Sequence, residues 1–165
     1  MKPHACLFVD GSCSKGGDIG AWTAVAVTVT SRRLLWGIDF PTTISRCELL
    51  PIVQGLRWIK DNWATSGGYR VHVTSDSEYT VKTLSKVCER HKNLELWAAL
   101  DVAASDMVVT YSWRERNTLP YMEFCDGMCG PLRHRMIDFM KTVATDYQKP
   151  EDCMPEYELP ELEGK

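Results

Sequence analysis

Cys6-Leu7-Phe8-Val9-Asp10-Gly11-Ser12 is the stretch on which the reading of this chain turns. A short apolar run halted by Gly-Ser predicts a buried strand ending in a turn, with Asp10 at its tip. Beyond a glycine-rich loop (Gly16, Gly17, Gly20), Trp22 to Thr30 alternates Val and Ala with Thr. Leu34 to Phe40 follows a turn at Ser31-Arg32-Arg33, so a hairpin continues the first strand and three consecutive strands are antiparallel. From Ser45 the period changes: Leu49, Ile52, Val53, Leu56, Ile59 and Trp63 recur at helical spacing, up to Gly67-Gly68. Arg70 to Ser75 then alternates as a fourth strand that stops at Asp76 and leads into a helix over 77–88. Leu94, Trp97 and Leu100 mark another helix, Met107 to Trp113 a fifth strand, and Leu132, Met136, Ile137, Met140 and Val143 a last helix. Three strands in a run, followed by helices alternating with strands, describe an α/β mixed sheet covered by helices.

With 165 residues and 44% hydrophobic content the chain suits one compact domain over residues 1–145. Residues 146–165 form an acidic tail expected to be flexible, with Pro150, Pro155 and Pro160 among the acids. Seven acids against Lys149 and Lys165 put that tail at −5, which leaves +2 on the body out of a total of −3. A mildly basic body can hold a phosphate backbone if its cations share one face. No apolar stretch approaches the roughly 20 residues of a membrane span. The seven cysteines, at 6, 13, 47, 88, 125, 129 and 153, lack the paired spacing of a disulfide framework or zinc site. A cytoplasmic protein with reduced thiols is expected, acting as a monomer.

Four acids stand at predicted strand ends or helix starts: Asp10, Glu48 in Arg46-Cys47-Glu48-Leu49, Asp76 in Thr74-Ser75-Asp76-Ser77-Glu78-Tyr79, and Asp126 in Phe124-Cys125-Asp126. A fold can gather such positions into a cluster that binds hard divalent cations, the usual means of hydrolysing a phosphodiester. Each acid also has a structural reading. Ser45-x-x-Glu48 and Ser75-x-x-Glu78 fit capping boxes, Asp10 fits a turn, and Asp76 fits a helix cap. Asp126 is followed by Gly127, Gly130 and Pro131, which interrupt a helix, and Glu123 one turn away competes with it.

In this order, Asp10-Gly11-Ser12, Thr42-Thr43 before Arg46-x-Glu48-Leu49, Ser75-Asp76-Ser77-x-Tyr79, Leu96-Trp97, and a Trp113 strand before Cys125-Asp126 resemble the type 1 ribonuclease H family over about residues 5–145. The resemblance implies a five-stranded sheet of order 3-2-1-4-5 and a metal-dependent endonuclease that cuts the RNA strand of RNA–DNA hybrids. It implies Asp10, Glu48, Asp76 and Asp126 as catalytic ligands of two Mg²⁺ or Mn²⁺ ions. Carboxylates this close need cations between them, so raised pKa values are expected without metal.

The chain also departs from that pattern. No histidine lies between Trp113 and Asp126; Arg114-Glu115-Arg116-Asn117 stands there instead, and Glu115, Arg116 or Asn117 can contact the scissile phosphate, with Asn117 matching an Arg-Glu-x-Asn subgroup. His134 follows Asp126 on the last helix. Where relatives offer Asn or Gln to sense ribose hydroxyls, this chain has Ile44, Ser45 and Glu78. Ser45 and the backbone around Gly11, Ser12 and Cys13 remain as substrate contacts. Lys82, Lys86 and Arg90 recur at i, i+4, i+8 and so line one helical face as phosphate contacts. Trp97 borders the DNA groove in relatives, and Pro51 kinks the helix beside Glu48. The first rival substrate is DNA, as for resolvases of this fold. The second rival is a catalytically weak binding or adaptor domain. The Asp-x-Glu pair of proofreading exonucleases is missing from the first strand.

Overall fold

The computed structural model describes residues 4–64 and 68–143. Five strands, β1 (Ala5–Cys13), β2 (Gly20–Val27), β3 (Arg32–Asp39), β4 (Tyr69–Ser75) and β5 (Met107–Trp113), form one sheet of order β3-β2-β1-β4-β5. The first three pair antiparallel, as expected, while β4 runs parallel to both β1 and β5. Four helices complete the fold: α1 (Ile44–Asn62), α2 (Glu78–Leu84), α3 (Leu94–Ala104) and α4 (Pro120–Val143).

The alternation of β1 sorts the helices onto two faces. Ala5, Leu7 and Val9 point into the main core with Leu49, Ile52, Val53, Leu56 and Ile59 of α1 and Leu96, Trp97 and Leu100 of α3. The opposite face packs α4, through Ala21, Met128 and Leu132, and Phe8 stacks on Tyr121 at 5.3 Å between centroids. Asp10 is therefore on the α4 face and Glu48 comes from the α1 side.

β1 does not end at Asp10. Pairing with β2 continues to Cys13 opposite Gly20, whereas pairing with β4 stops at Val9 opposite Ser75. Asp10 is thus the first β1 residue beyond the β4 ladder, a strand end on one side only. That places Asp76, the residue after β4, beside it.

Local signals set several boundaries differently from the sequence expectations. Thr43, not Ser45, caps α1, accepting from the Arg46 N–H, and Ser77, not Ser75, caps α2 by accepting from Thr80. The helix expected over 77–88 stops at Leu84, because Lys86 takes a left-handed backbone conformation (φ 61°). α4 is continuous through Gly127, Gly130 and Pro131, so Asp126 lies in the second turn of an unbroken helix. α1 likewise runs through Pro51. The acidic segment 146–165 lies outside the described residues, among which no helix is long and apolar enough to cross a membrane.

Candidate active site

A close crossing of backbones fixes Asp10 relative to Glu48. A Cβ placed on Gly11 would lie 2.3 Å from the carbonyl oxygen of Cys47 and 2.8 Å from the Glu48 nitrogen. Only glycine lets β1 approach the first turn of α1 this closely. Pro51 has no N–H to give the Cys47 carbonyl, which would otherwise be its helical partner four residues back. The same carbonyl abuts Gly11, so the proline stands where β1 meets the helix.

Glu48 is then oriented by α2. Its Oε2 accepts from the Ser77 hydroxyl, whose oxygen stands 2.8 Å from Thr80 Oγ1, and from Thr80 itself at 3.4 Å. The hydroxyl that starts α2 thereby holds an acid from α1. Burial raises the Glu48 pKa, the Ser77 hydrogen bond opposes the rise, and the charge of Asp76 adds to it.

Asp10 is the most buried of the four acids, with 5% of its surface exposed. Its pKa is pushed up to about 7, first by burial, then by the charges of Asp76 and Asp126; Arg116 and the Gly11 N–H pull the other way. A like-charge cluster in a desolvated setting has this effect. The two described shifts agree with the expectation of raised carboxylate pKa values without metal.

Asp126 is brought in by the docking of α4. Thr23 on β2 donates to the Cys125 carbonyl at 3.2 Å and contacts the Cys129 thiol at 3.3 Å, while Cys129 donates to the backbone carbonyl of Asp10 at 3.5 Å. One turn further on, Arg133 donates to the Ser12 hydroxyl and, at 2.8 Å, to the Cys13 carbonyl. The competing Glu123 is exposed. His134 lies two turns past Asp126, about 12 Å along the helix, and is exposed.

Arg116 closes the arrangement. Its Nε donates to Asp76 Oδ2 at 2.9 Å, and its Nη1 stands 3.4 Å from Asp126 Oδ1. The sequence pattern points to Asn117 among Glu115, Arg116 and Asn117. Asn117 is exposed on a left-handed turn (φ 60°), and Arg116 is the residue that reaches the acids. Ser77 and Thr80 were also missed; the clue was a hydroxyl-rich run after β4, readable as capping alone.

The donor set is four carboxylates, which suits Mg²⁺ or Mn²⁺. Among the described residues no three acids, histidines or cysteines are yet grouped as ligands of one ion, and the guanidinium of Arg116 bridges two of the four. A cavity of about 340 Å³ borders the cluster, sharing Thr80 with the Glu48 network and lined also by Ser45, Tyr79, Lys92, Asn93 and Trp97. Trp97 is 5% exposed and donates its indole N–H to the Lys92 carbonyl, so it forms a wall of this cavity without projecting from it.

The expected basic stripe does not exist as one helical face. Lys82 is on α2 but pairs with Glu78 at 2.8 Å; Lys86 is past the helix end. Arg90 makes a two-pronged pair with Asp101 at 2.6 and 3.0 Å and lies over the Trp97 ring at 4.8 Å.

Known proteins share this sequence and this architecture. The RNase H family model matches residues 2–119. A Ribonuclease H of Cupriavidus metallidurans is 30% identical over 136 residues, covering 74% of this chain and 90% of the relative. One of Pseudomonas fluorescens is 31% identical over 65% of this chain and 74% of its own length. Among solved structures, LC9-RNase H1, a type 1 RNase H with the type 2 active-site motif, superposes with a TM-score of 0.67 at 20% identity, over 81% of this chain and 74% of its own. An N-terminal RNase H domain from Mycobacterium tuberculosis gives 0.65 at 19% identity, over 76% and 95%. With the family model spanning most of the folded body and the sheet order agreeing with it, the chain belongs to the RNase H family and is a ribonuclease H-type endoribonuclease.

Proposed function

We propose that this protein hydrolyses the RNA strand of RNA–DNA hybrids, with Asp10, Glu48, Asp76 and Asp126 holding two divalent cations, Mg²⁺ or Mn²⁺. The observation that carries the reading is the placing of Asp10, buried beside the end of β4, with Asp76 and Asp126 near enough for their charges to act on it; its pKa is pushed up to about 7 first by burial and then by those two charges. When bound, such ions compensate that charge, activate the attacking water and stabilise the leaving 3′ oxygen.

The chain's own residues divide the remaining work. The Gly11 N–H hydrogen-bonds Asp10, and the Ser77 and Thr80 hydroxyls hold Glu48 in one orientation. Preorganised acids avoid reorganisation when the reaction develops charge. The cavity beside Thr80 offers Ser45, Asn93 and Lys92 as polar groups for a nucleic-acid strand, with Trp97 and Tyr79 as its aromatic wall. In this reading Ser45 and the backbone of Ser12 and Cys13 contact the hybrid, while Gly11, buried against α1 with its N–H on Asp10, does not. Lys82 and Lys86 add general attraction to phosphates, and Asn117 lies at the loop nearest Arg116.

The test is cleavage by the full chain, with Mg²⁺ or Mn²⁺, of matched RNA–DNA hybrid, duplex DNA, duplex RNA and branched DNA. Hybrid cutting that falls at least about a hundredfold in Asp10→Asn is expected. Selective cutting of branched DNA would transfer the assignment to a resolvase-like enzyme, and binding of hybrid without cutting would mark an adaptor.

A further inference from the structure

We propose that Arg116 is a built-in counter-cation that competes with divalent metal for Asp76 and Asp126, so that metal loading requires its displacement. The inference rests on the reading of the four acids as the metal site.

The geometry is that of a stand-in. One guanidinium reaches two of the four acids, at 2.9 and 3.4 Å, and these acids come from different elements, the end of β4 and the second turn of α4. Arginine presents a planar array of donors in a fixed fork and stays charged, so it suits a bridge between two carboxylates. It is nonetheless easily given up. Its side chain is 59% exposed and it stands in the loop between β5 and α4, so releasing it leaves no buried cation behind. Asp76 is held more firmly, at 11% exposure.

Two of the four acids are thus turned toward a cation the protein supplies itself. A divalent ion offers twice the charge at closer range, but it must first break these contacts. Metal affinity is reduced by the share of protein in which Arg116 holds the acids.

Calorimetric titration with MgCl₂ and, separately, MnCl₂, without nucleic acid, tests this on the full chain and on Arg116→Gln, Arg116→Lys and Asp10→Asn. Arg116→Gln is expected to bind metal about tenfold more tightly, the scale of losing one competing ion pair. Arg116→Lys should fall between Gln and the unmodified protein. In parallel, melting in EDTA should show Arg116→Gln less stable than the unmodified protein, with the gap closing at saturating metal. An arginine that merely anchored its loop would lower stability equally with and without metal and would not tighten binding. Equal or weaker metal affinity in Arg116→Gln, with Asp10→Asn still abolishing binding, overturns the competitor role alone. No binding in any variant, or binding untouched by Asp10→Asn, overturns the four-acid site and the inference with it.

Discussion

The two halves of the carboxylate cluster are held by different means. Asp10 and Glu48 sit where β1 presses against α1 with no room for a Cβ on Gly11, and Glu48 is fixed by hydroxyls of α2. Asp76 and Asp126 are joined across a gap by an exposed arginine on a loop. Packing sets the first pair and charge sets the second. Packed backbone cannot adjust by small amounts, whereas an exposed ion pair can be remade at little cost. The cluster therefore combines a half fixed by packing with a half joined through an exposed ion pair.

The largest expected effect comes from breaking the rigid half. Gly11→Ala drives a methyl into the Cys47 carbonyl and should lower stability by about 2–3 kcal/mol in urea denaturation, with cleavage lost beyond what the unfolded fraction explains. A change within about 0.5 kcal/mol would show that β1 and α1 can separate freely, and the contrast would fail.

A smaller effect separates the halves through pH. The folded-state pKa of Asp10 rises from 3.8 to about 7, and that of Glu48 rises above 4.5. Groups with raised values contribute stability that is complete below their unfolded pKa and lost as pH rises through the folded value. In EDTA the melting temperature should therefore fall between about pH 4 and pH 7, on account of these two groups. Mg²⁺ should flatten that dependence, and so should Asp10→Asn without metal. A slope unchanged in Asp10→Asn would remove Asp10 as its source.

The smallest effect sharpens the comparison. Ser77→Ala removes both the cap of α2 and a donor to Glu48, and should cost about 1 kcal/mol of stability with about a tenfold loss of cleavage. If stability falls and cleavage does not, the hydroxyl serves the helix alone and Glu48 is held by its backbone.

How far these halves were legible in the sequence follows the same division. Asp10-Gly11, Glu48 and Asp76 could be placed because strand periodicity and the switch to helical spacing mark element ends, and these acids sit at element ends. Asp126 was harder, since Gly127, Gly130 and Pro131 argue against a helix that tertiary contacts at Cys125, Cys129 and Leu132 sustain. Arg116 was named without being preferred, because which of three neighbouring loop residues points at the acids depends on backbone turns that no periodicity encodes. The Lys82-Lys86-Arg90 stripe failed for a related reason. Spacing by four implies a face only while the helix continues, and at Lys86 the backbone turns left-handed.

One further use of the fold lies in the thiols under α4. Cys125 and Cys129 are at most 1% exposed, and one of them is hydrogen-bonded to the backbone of Asp10. A buried thiol reacts with an alkylating reagent only when its cover lifts. Because the cover here is the helix that carries Asp126, the labelling rates of these two cysteines form a clock for the opening of the proposed site. Read residue by residue, apart from the less buried Cys6, Cys13 and Cys88, they would time how often α4 lifts from the sheet.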